Sequence, residues 1–182
     1  MVRGIDICAS CLVQPPNYSH CFSLLKYQPP ADTLLSQFKN HNRLVVGRVL
    51  AILLARAYRR RHVLMPDYWI PVPLHKKTAR RRGFNQASEI AQVLTEFTGV
   101  PTLAKATRRV VHGTPQKQLN AEDRVENIKG AFEVDVDLTG LAVGVIDDVV
   151  TTGATVSELS NRLLLAGAAD VQIVCLARTP EN

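Results

Sequence analysis

The chain has 182 residues, of which 46% are hydrophobic, so it can bury one sizeable core and a single domain is the default expectation. Its 22 basic and 16 acidic residues give a formal net charge of +6, which favours anionic partners such as phosphates or nucleic acid. The most apolar run, Leu44 to Ala57, is too short and too interrupted by arginine to span a membrane. Four cysteines without a secretory leader argue against a disulfide framework, so we expect a cytoplasmic protein with no membrane insertion.

The amino terminus carries two cysteines with the spacing of a metal-binding motif. Cys8 and Cys11 form a CxxC sequence, which supplies two of the four ligands that a structural zinc site needs. His20 and Cys21 are candidates for the other two, although Cys21 begins an apolar segment, Cys21 to Tyr27, that is typical of a first strand. Two thiols without a metal are therefore favoured, and Zn²⁺ is expected only if the half site is completed.

Helical periodicity follows between Asp32 and Arg60. Apolar residues recur three or four positions apart, which predicts one long helix, or two helices joined near Asn40 to Asn42. Asp32 is the predicted N-cap because it follows two prolines. The basic segment Arg59 to His62 suits the negative end of the helix dipole, which favours a solvated tail over a nucleic-acid contact.

A short apolar strand, predicted from Tyr68 to Val72, precedes the most basic stretch of the chain. Five of the seven residues from Lys76 to Arg82 are lysine or arginine. Such a run is usually a solvated face, but this one follows directly on a predicted strand, where ligands of open α/β sheets bind. Both interpretations stay open for the lysines, and a binding role is favoured for Arg82 with Gly83.

The next predicted helix opens at Gly83 and reaches about Thr98, and the amides of its early residues Asn85 and Gln86 either cap the helix or face a ligand. A strand between Leu103 and Val111 then leads into a polar segment of little periodicity. Long loops inside compact domains are often lids, so we expect this segment to cover a ligand.

The most informative stretch runs from Leu141 to Thr155. A β-branched run predicts a strand that ends at a pair of acids, Asp147 and Asp148. A turn of small residues, Thr151 to Thr155, follows the acids and opens a helix. With further strands predicted at 131–136 and 171–177, the alternation of strands and helices indicates an α/β fold with a largely parallel sheet.

This order of elements suits a phosphorylated sugar. A loop that opens a helix offers unpaired backbone N–H groups and the positive end of the helix dipole, and Gly153 lets the backbone approach an anion closely. The two carboxylates can accept hydrogen bonds from a sugar diol. The turn has neither the lysine of a Walker A loop nor the three-glycine spacing of a dinucleotide fingerprint, so a phosphorylated ribose fits best.

The segment IDDVVTTGAT resembles the phosphoribosyl-pyrophosphate (PRPP) loop of type I phosphoribosyltransferases. Three further segments make the chain similar to the ComF branch of that superfamily, namely PVPLHKKTARRRGFNQASEIA at 71–91, QKQLNAEDRVENIKGAF at 116–132 and GAADVQIVCLAR at 167–178. The resemblance covers most of the chain from about Tyr27 onward. It implies the type I phosphoribosyltransferase fold, with a central, mostly parallel sheet flanked by helices and a small cap region.

The resemblance also implies the residues of the site. Asp147 and Asp148 would be the catalytic pair that holds the ribose. Mg²⁺ is expected to bind mainly through PRPP rather than through protein ligands. The residues that match PRPP contacts of the family are Pro73, Leu74, Lys76, Lys77, Arg82, Gln116, Val149, Val150, Thr151, Thr152, Gly153, Ala154 and Thr155.

ComF-like proteins commonly carry an amino-terminal zinc module with four cysteine ligands, and Cys8 and Cys11 resemble its second half. Residues 1–20 are accordingly predicted to be a remnant of that module, and residues 21–182 a phosphoribosyltransferase-like domain. The implied function is PRPP binding or phosphoribosyl transfer, with an unidentified acceptor, in natural competence, the uptake of DNA for transformation. The alternative is a non-catalytic accessory protein that binds PRPP or a nucleotide, contacts competence-machinery proteins or handles single-stranded DNA.

Overall fold

The computed structural model describes four stretches of the chain, residues 15–40, 43–61, 64–110 and 128–180. Cys8, Cys11 and Gln116 lie outside these stretches, as does most of the segment predicted to be a lid. The zinc half site and the lid therefore stay predictions. Cys21 lies within the first strand, as expected.

A parallel four-stranded sheet forms the centre of the fold. The strands are β1 (His20–Lys26), β2 (Tyr68–Pro71), β3 (Thr107–Arg109), β4 (Phe132–Val134), β5 (Ala142–Val150) and β6 (Asp170–Arg178). Four of them form the sheet in the order β1-β6-β5-β2, and each neighbouring pair is parallel. β3 and β4 form a separate antiparallel pair. β5 and β6 are almost continuously apolar because they lie inside the sheet and are covered on both faces. The predicted α/β class is confirmed.

Five helices are present in the described stretches. They are α1 (Ala31–Asn40), α2 (Leu44–Arg59), α3 (Lys76–Arg82), α4 (Gln86–Thr98) and α5 (Ala154–Leu165). α2 and α4 pack against each other and against the sheet, whereas α5 packs against β4, β5 and β6. None of these helices within the described residues combines the length and the hydropathy that crossing a membrane requires.

Two local predictions need correction. α1 begins at Ala31, so Asp32 lies in its first turn and is not the N-cap; its Oδ1 accepts a hydrogen bond from the backbone N–H of Thr33 at 2.6 Å. The basic stretch, for which no helix was predicted, forms the seven-residue helix α3, which starts at Lys76. Of the two alternatives for the segment from Asp32 to Arg60, the pair of helices is the one observed.

A buried aromatic cluster closes the amino end of the sheet. Tyr58 from α2 and Trp69 from β2 are fully buried and pack edge to face, with ring centroids 5.5 Å apart. The Tyr58 hydroxyl donates a hydrogen bond to Oε1 of Gln172 at 2.5 Å, and Trp69 Nε1 donates to Oγ1 of Thr98 at 3.2 Å. Gly144 makes room for this cluster, because a Cβ atom there would overlap the Trp69 ring.

Candidate functional site

The carboxyl ends of β2, β5 and β6 meet at one edge of the sheet. Pro71 of β2 lies beside Ile146 of β5, and the next N–H, that of Val72, donates to the carbonyl oxygen of Ile146 at 2.9 Å. The loop that holds Pro73 and Leu74 therefore starts beside the acidic pair of β5. In an open α/β sheet this edge is where ligands bind.

The acidic pair lies inside β5 and not after it, which corrects the predicted end of that strand. β5 continues because its backbone keeps pairing with β6 as far as Val150 and Arg178. Successive side chains of a strand alternate between its two faces. The two carboxyl groups nevertheless lie close together, because the charge of Asp148 and a hydrogen bond between the two side chains both act on Asp147. Asp148 is 7% exposed and Asp147 is half-buried.

Asp148 forms an ion pair with Lys39, the penultimate residue of α1. Lys39 Nζ lies 3.0 Å from Asp148 Oδ1, and the two side chains are 28% and 10% exposed. The same Oδ1 accepts a hydrogen bond from the backbone N–H of Val149 at 2.7 Å. The amino-terminal helix thus supplies a cation to the acidic pair.

Packing fixes the position of Lys39. Its neighbour Phe38 is 1% exposed and contacts the ring of Phe84, with centroids 5.9 Å apart. Phe38 also fills the space over Gly47 of α2, where a Cβ atom would overlap its ring. The carboxyl end of α1 is therefore held by the core, and Lys39 is not a freely moving surface side chain.

The environment of Asp147 favours its protonated form. Burial and the charge of Asp148 raise the pKa of Asp147 to about 8, and the Lys39 ammonium opposes that rise. On the other side lies Arg109 of β3, whose pKa is lowered by burial, while the charge of Asp147 acts in the opposite direction. Near neutral pH, Asp147 therefore holds a proton and can donate as well as accept a hydrogen bond.

The turn between β5 and α5 has the geometry expected of an anion-binding loop. Gly153 has a φ of 77° and precedes the first residue of α5, a left-handed conformation that glycine adopts without strain. The N–H groups of the first helical turn have no partner within the helix. Asp147 and the turn line a small hollow with Val149, Val150, Thr151, Thr152, Gly153, Ala154, Thr155 and Val156.

Tyr18 also reaches this turn. Its hydroxyl oxygen lies 3.7 Å from the position that a Cβ atom of Gly153 would take. Sequence reasoning did not assign Tyr18 to the site, because it precedes β1 and carries no motif.

At the entrance of α4 the capping alternative is the one observed. The Asn85 side chain accepts from the backbone N–H of Ala87 at 3.1 Å and donates to the carbonyl oxygen of Val72 at 3.0 Å. Gln86 is 2% exposed, and its Oε1 accepts from Arg82 Nη1 at 3.1 Å. The Gln86 Nε2 atom is buried without a hydrogen-bond partner among the described residues. Gln86 thus orients Arg82 instead of facing a ligand directly.

The structure brings most of the predicted site residues to one edge. The acids, the turn from Val149 to Thr155 and the loop of Pro73 and Leu74 lie there, and the backbone places Lys76 and Lys77 in the first turn of α3. Two basic residues near the acids were not assigned to the site from the sequence, Lys39 and Arg109. Lys39 lies four residues after the buried Leu35, so it shares the inward face of α1, and this was the available signal.

The chain is similar to several curated bacterial proteins. It is 38% identical to DNA utilization protein YhgH of Salmonella typhimurium over 176 residues, which cover 94% of this chain and 78% of that protein. It is 37% identical to Competence protein F of Haemophilus influenzae over 178 residues, with the same two coverages. Competence protein ComFC of Bacillus subtilis is 28% identical over 126 residues, which cover 69% of this chain and 48% of that protein. No protein-family model matches the chain.

Solved structures with a similar chain path include two proteins of nucleotide metabolism. Glutamine PRPP amidotransferase of Bacillus subtilis has a TM-score of 0.48 at 19% identity, covering 70% of this chain and 26% of that chain. Purine phosphoribosyltransferase of Pyrococcus horikoshii has a TM-score of 0.44 at 19% identity, covering 73% and 74%. Because the curated relatives match at 37% and 38% identity along 94% of its length, the chain belongs to the ComF family.

Proposed function

We propose that this protein binds PRPP together with Mg²⁺ at the carboxyl edge of its sheet and acts as a phosphoribosyltransferase. The observation that carries the proposal is the placement of the acids and the turn on one continuous segment. Asp147 and Asp148 are the sixth and seventh residues of β5, and the left-handed Gly153 opens α5 five residues after Asp148. A carboxylate pair suited to a diol and an anion-binding turn then follow one another, and Asp147 lines the same small hollow as the turn.

The turn would bind the 5′-phosphate of the ribose. Thr151 and Thr152 are exposed, so their hydroxyls are available as donors, and Oγ1 of Thr152 accepts a hydrogen bond from the N–H of Ala154 at 3.4 Å. The N–H of Thr155 belongs to the first turn of α5, where N–H groups have no partner within the helix. Backbone N–H groups at a helix start and the helix dipole together favour a phosphate at this position. Gly153 allows the close approach.

The acids would bind the ribose of PRPP, and the basic segment would bind its diphosphate. Asp148 accepts hydrogen bonds from the ribose hydroxyls, and the protonated Asp147 can donate one. Lys76, Lys77 and Arg82, with the loop of Pro73 and Leu74, would bind the diphosphate. Residues of this type stabilise charge that grows on a leaving group.

The residues present fit a metal that arrives with the substrate. Among the described residues, no group of three or more His, Cys, Asp or Glu side chains could hold a metal ion by itself. A diphosphate and a ribose diol offer the oxygen ligands that Mg²⁺ prefers, and the Asp148 carboxylate adds negative charge nearby. When bound, Mg²⁺ supplies positive charge to the diphosphate oxygens.

In the transfer reaction, a nitrogen of a base-like acceptor attacks the anomeric carbon. The bond from that carbon to the diphosphate oxygen breaks, and the electron pair leaves with pyrophosphate. The protein positions both partners, and the Asp148 carboxylate stabilises the positive charge that develops on the ribose.

Calorimetric titration with PRPP, with and without Mg²⁺, tests the proposal. We expect metal-dependent binding that weakens about 100-fold in Asp148→Asn, because a ribose hydroxyl loses a charged acceptor. Glu96→Gln is the matched control, since it removes one negative charge from the exposed Arg48 ion pair of α2 and α4. Equal binding in Asp148→Asn and Glu96→Gln would contradict the assignment of the acids.

A second function, the handling of single-stranded DNA in competence, is favoured by the names of the relatives and by the charge of +6. A variant with alanine at Lys76, Lys77, Arg80 and Arg81 should then bind single-stranded DNA more weakly, with a smaller salt dependence. Asp148→Asn should leave that binding intact. DNA affinity that survives in the alanine variant would remove α3 as the contact and would favour partner proteins of the competence machinery instead.

A further inference from the structure

We infer that Lys39 is a positioning residue of the PRPP site, which α1 contributes from outside the four segments that carry the family resemblance. Its ammonium group holds the Asp148 carboxylate in the orientation that meets the ribose hydroxyls, and it adds one positive charge beside the polyanionic ligand. This inference rests on the proposed function.

Two hydrogen bonds orient the Asp148 carboxylate. Oδ1 is engaged twice, by Lys39 Nζ at 3.0 Å and by the backbone N–H of Val149 at 2.7 Å. Two donors on one oxygen fix the orientation of the carboxylate plane. The Asp148 side chain also shares a hydrogen bond with that of Asp147, so Lys39 helps to fix the arrangement of both acids that a ligand meets.

The ion pair of Lys39 and Asp148 is largely shielded from water. The Asp148 side chain is 10% exposed and that of Lys39 is 28% exposed, so water screens this contact less than it screens a surface ion pair. Phe38, wedged between Gly47 and Phe84, places Lys39 by core packing. A residue positioned in this way can hold another without loss of side-chain freedom on ligand binding.

Charged and titratable groups from three elements surround Asp147. Lys39 from α1 and Arg109 from β3 act on Asp147, and the buried Cys175 of β6 lies beside it in the sheet. Lys39 opposes the rise in the pKa of Asp147 that burial and Asp148 cause. Loss of Lys39 should therefore move the protonation of Asp147 to higher pH.

The test uses three variants of the full chain. Lys39→Met removes the charge, Lys39→Arg keeps it, and Lys105→Met removes one charge from an exposed lysine away from the acids. PRPP is titrated calorimetrically from about pH 6 to about pH 9, the range in which Asp147 titrates. We expect Lys39→Met to bind about 10- to 100-fold more weakly, with its affinity-versus-pH curve shifted to higher pH, and Lys39→Arg to recover most of the affinity. Lys105→Met should match the wild type.

A second measurement needs no ligand. The ¹³C chemical shift of the Asp147 carboxyl is followed against pH, and Lys39→Met should raise the pKa of Asp147 while Lys39→Arg should not. PRPP binding by Lys39→Met with unchanged affinity and pH dependence overturns the inference and leaves the proposed function standing. Absence of PRPP binding by the wild type defeats both, even where the carboxyl titration still registers the ion pair. If Lys39→Met does not fold, Lys39→Gln is measured instead, with the same loss expected.

Discussion

The two ends of the central sheet are built on different principles. At the amino end, Tyr58, Trp69 and Gln172 are at most 2% exposed, and hydrogen bonds join their polar atoms to partners. At the carboxyl end, Asp148 depends on a lysine from another element, and Asp147 has a pKa near 8. The first end holds the fold together, whereas the second keeps charged groups in an arrangement that a bound anion and its metal would complete.

This contrast is typical of binding sites. Groups with perturbed pKa values cluster where a protein meets its ligand, because the arrangement suits the complex and not the empty protein. Substitutions at the amino end should therefore cost stability alone. Substitutions at the carboxyl end should change PRPP affinity as well as the free energy of unfolding, and the two changes need not have the same sign.

The largest effect is expected at the amino end. Gly144→Ala places a Cβ atom where the ring of the buried Trp69 lies, so we expect the free energy of unfolding to fall by about 3 kcal/mol. Gly140→Ala is the control, because Gly140 has a φ of 76° but open space around its Cβ position, and it should cost only about 1 kcal/mol. Urea unfolding measures both. Equal costs would mean that backbone strain, and not the ring, sets the effect.

The local elements at the carboxyl end of the sheet were predicted from the sequence better than the contacts between them. The apolar run before the acids, the turn around Gly153 and the basic stretch near Arg82 were all recognisable, because each follows a local periodicity or a local motif. The end of β5 was not predictable, since pairing with β6 extends that strand through the acids. The contact of Lys39 with Asp148 joins helices and strands far apart in the chain, so only the packing of α1 reveals it.

The second effect concerns the ion pair at the carboxyl end. Lys39→Met and Asp148→Asn should each lower the free energy of unfolding by about 2 kcal/mol, because each leaves a partly buried polar group without its partner. The double variant should lose less than the two costs added together. Urea unfolding of all four proteins gives the coupling energy. Strictly additive costs would show that the pair does not stabilise the empty protein.

A smaller cost is expected for Tyr58→Phe at the amino end. The change keeps the ring but leaves Oε1 of the buried Gln172 without its donor, so about 1.5 kcal/mol of unfolding free energy should be lost. PRPP affinity should stay at the wild-type value, since Tyr58 lies at the opposite end of the sheet. A parallel loss of affinity would mean that the two ends are coupled.

The smallest effect has the opposite sign and is the sharpest test of the contrast. The pKa of Asp147 is about 8 in the folded protein against an ordinary value of 3.8, so the folded state binds this proton more tightly than the unfolded state does. Wild-type stability should then fall as the pH rises from about 4 to about 8, whereas an asparagine at this position does not titrate. Asp147→Asn should therefore be more stable than the wild type by about 1 kcal/mol at pH 8, less than a fully buried carboxyl would give because Asp147 is only half-buried.

This gain should shrink as the pH falls toward 4 and vanish below it, where the wild-type carboxyl becomes protonated in the unfolded state as well. Thermal unfolding of Asp147→Asn and the wild type across this range measures it, and Asp148→Asn provides a neighbour whose substitution should lower stability. PRPP binding by Asp147→Asn should weaken at the same time, because the carboxyl that costs stability is the one proposed to meet the ribose. A difference in stability that does not change with pH would show that Asp147 keeps its ordinary pKa, and the carboxyl end would then be no more strained than the amino end.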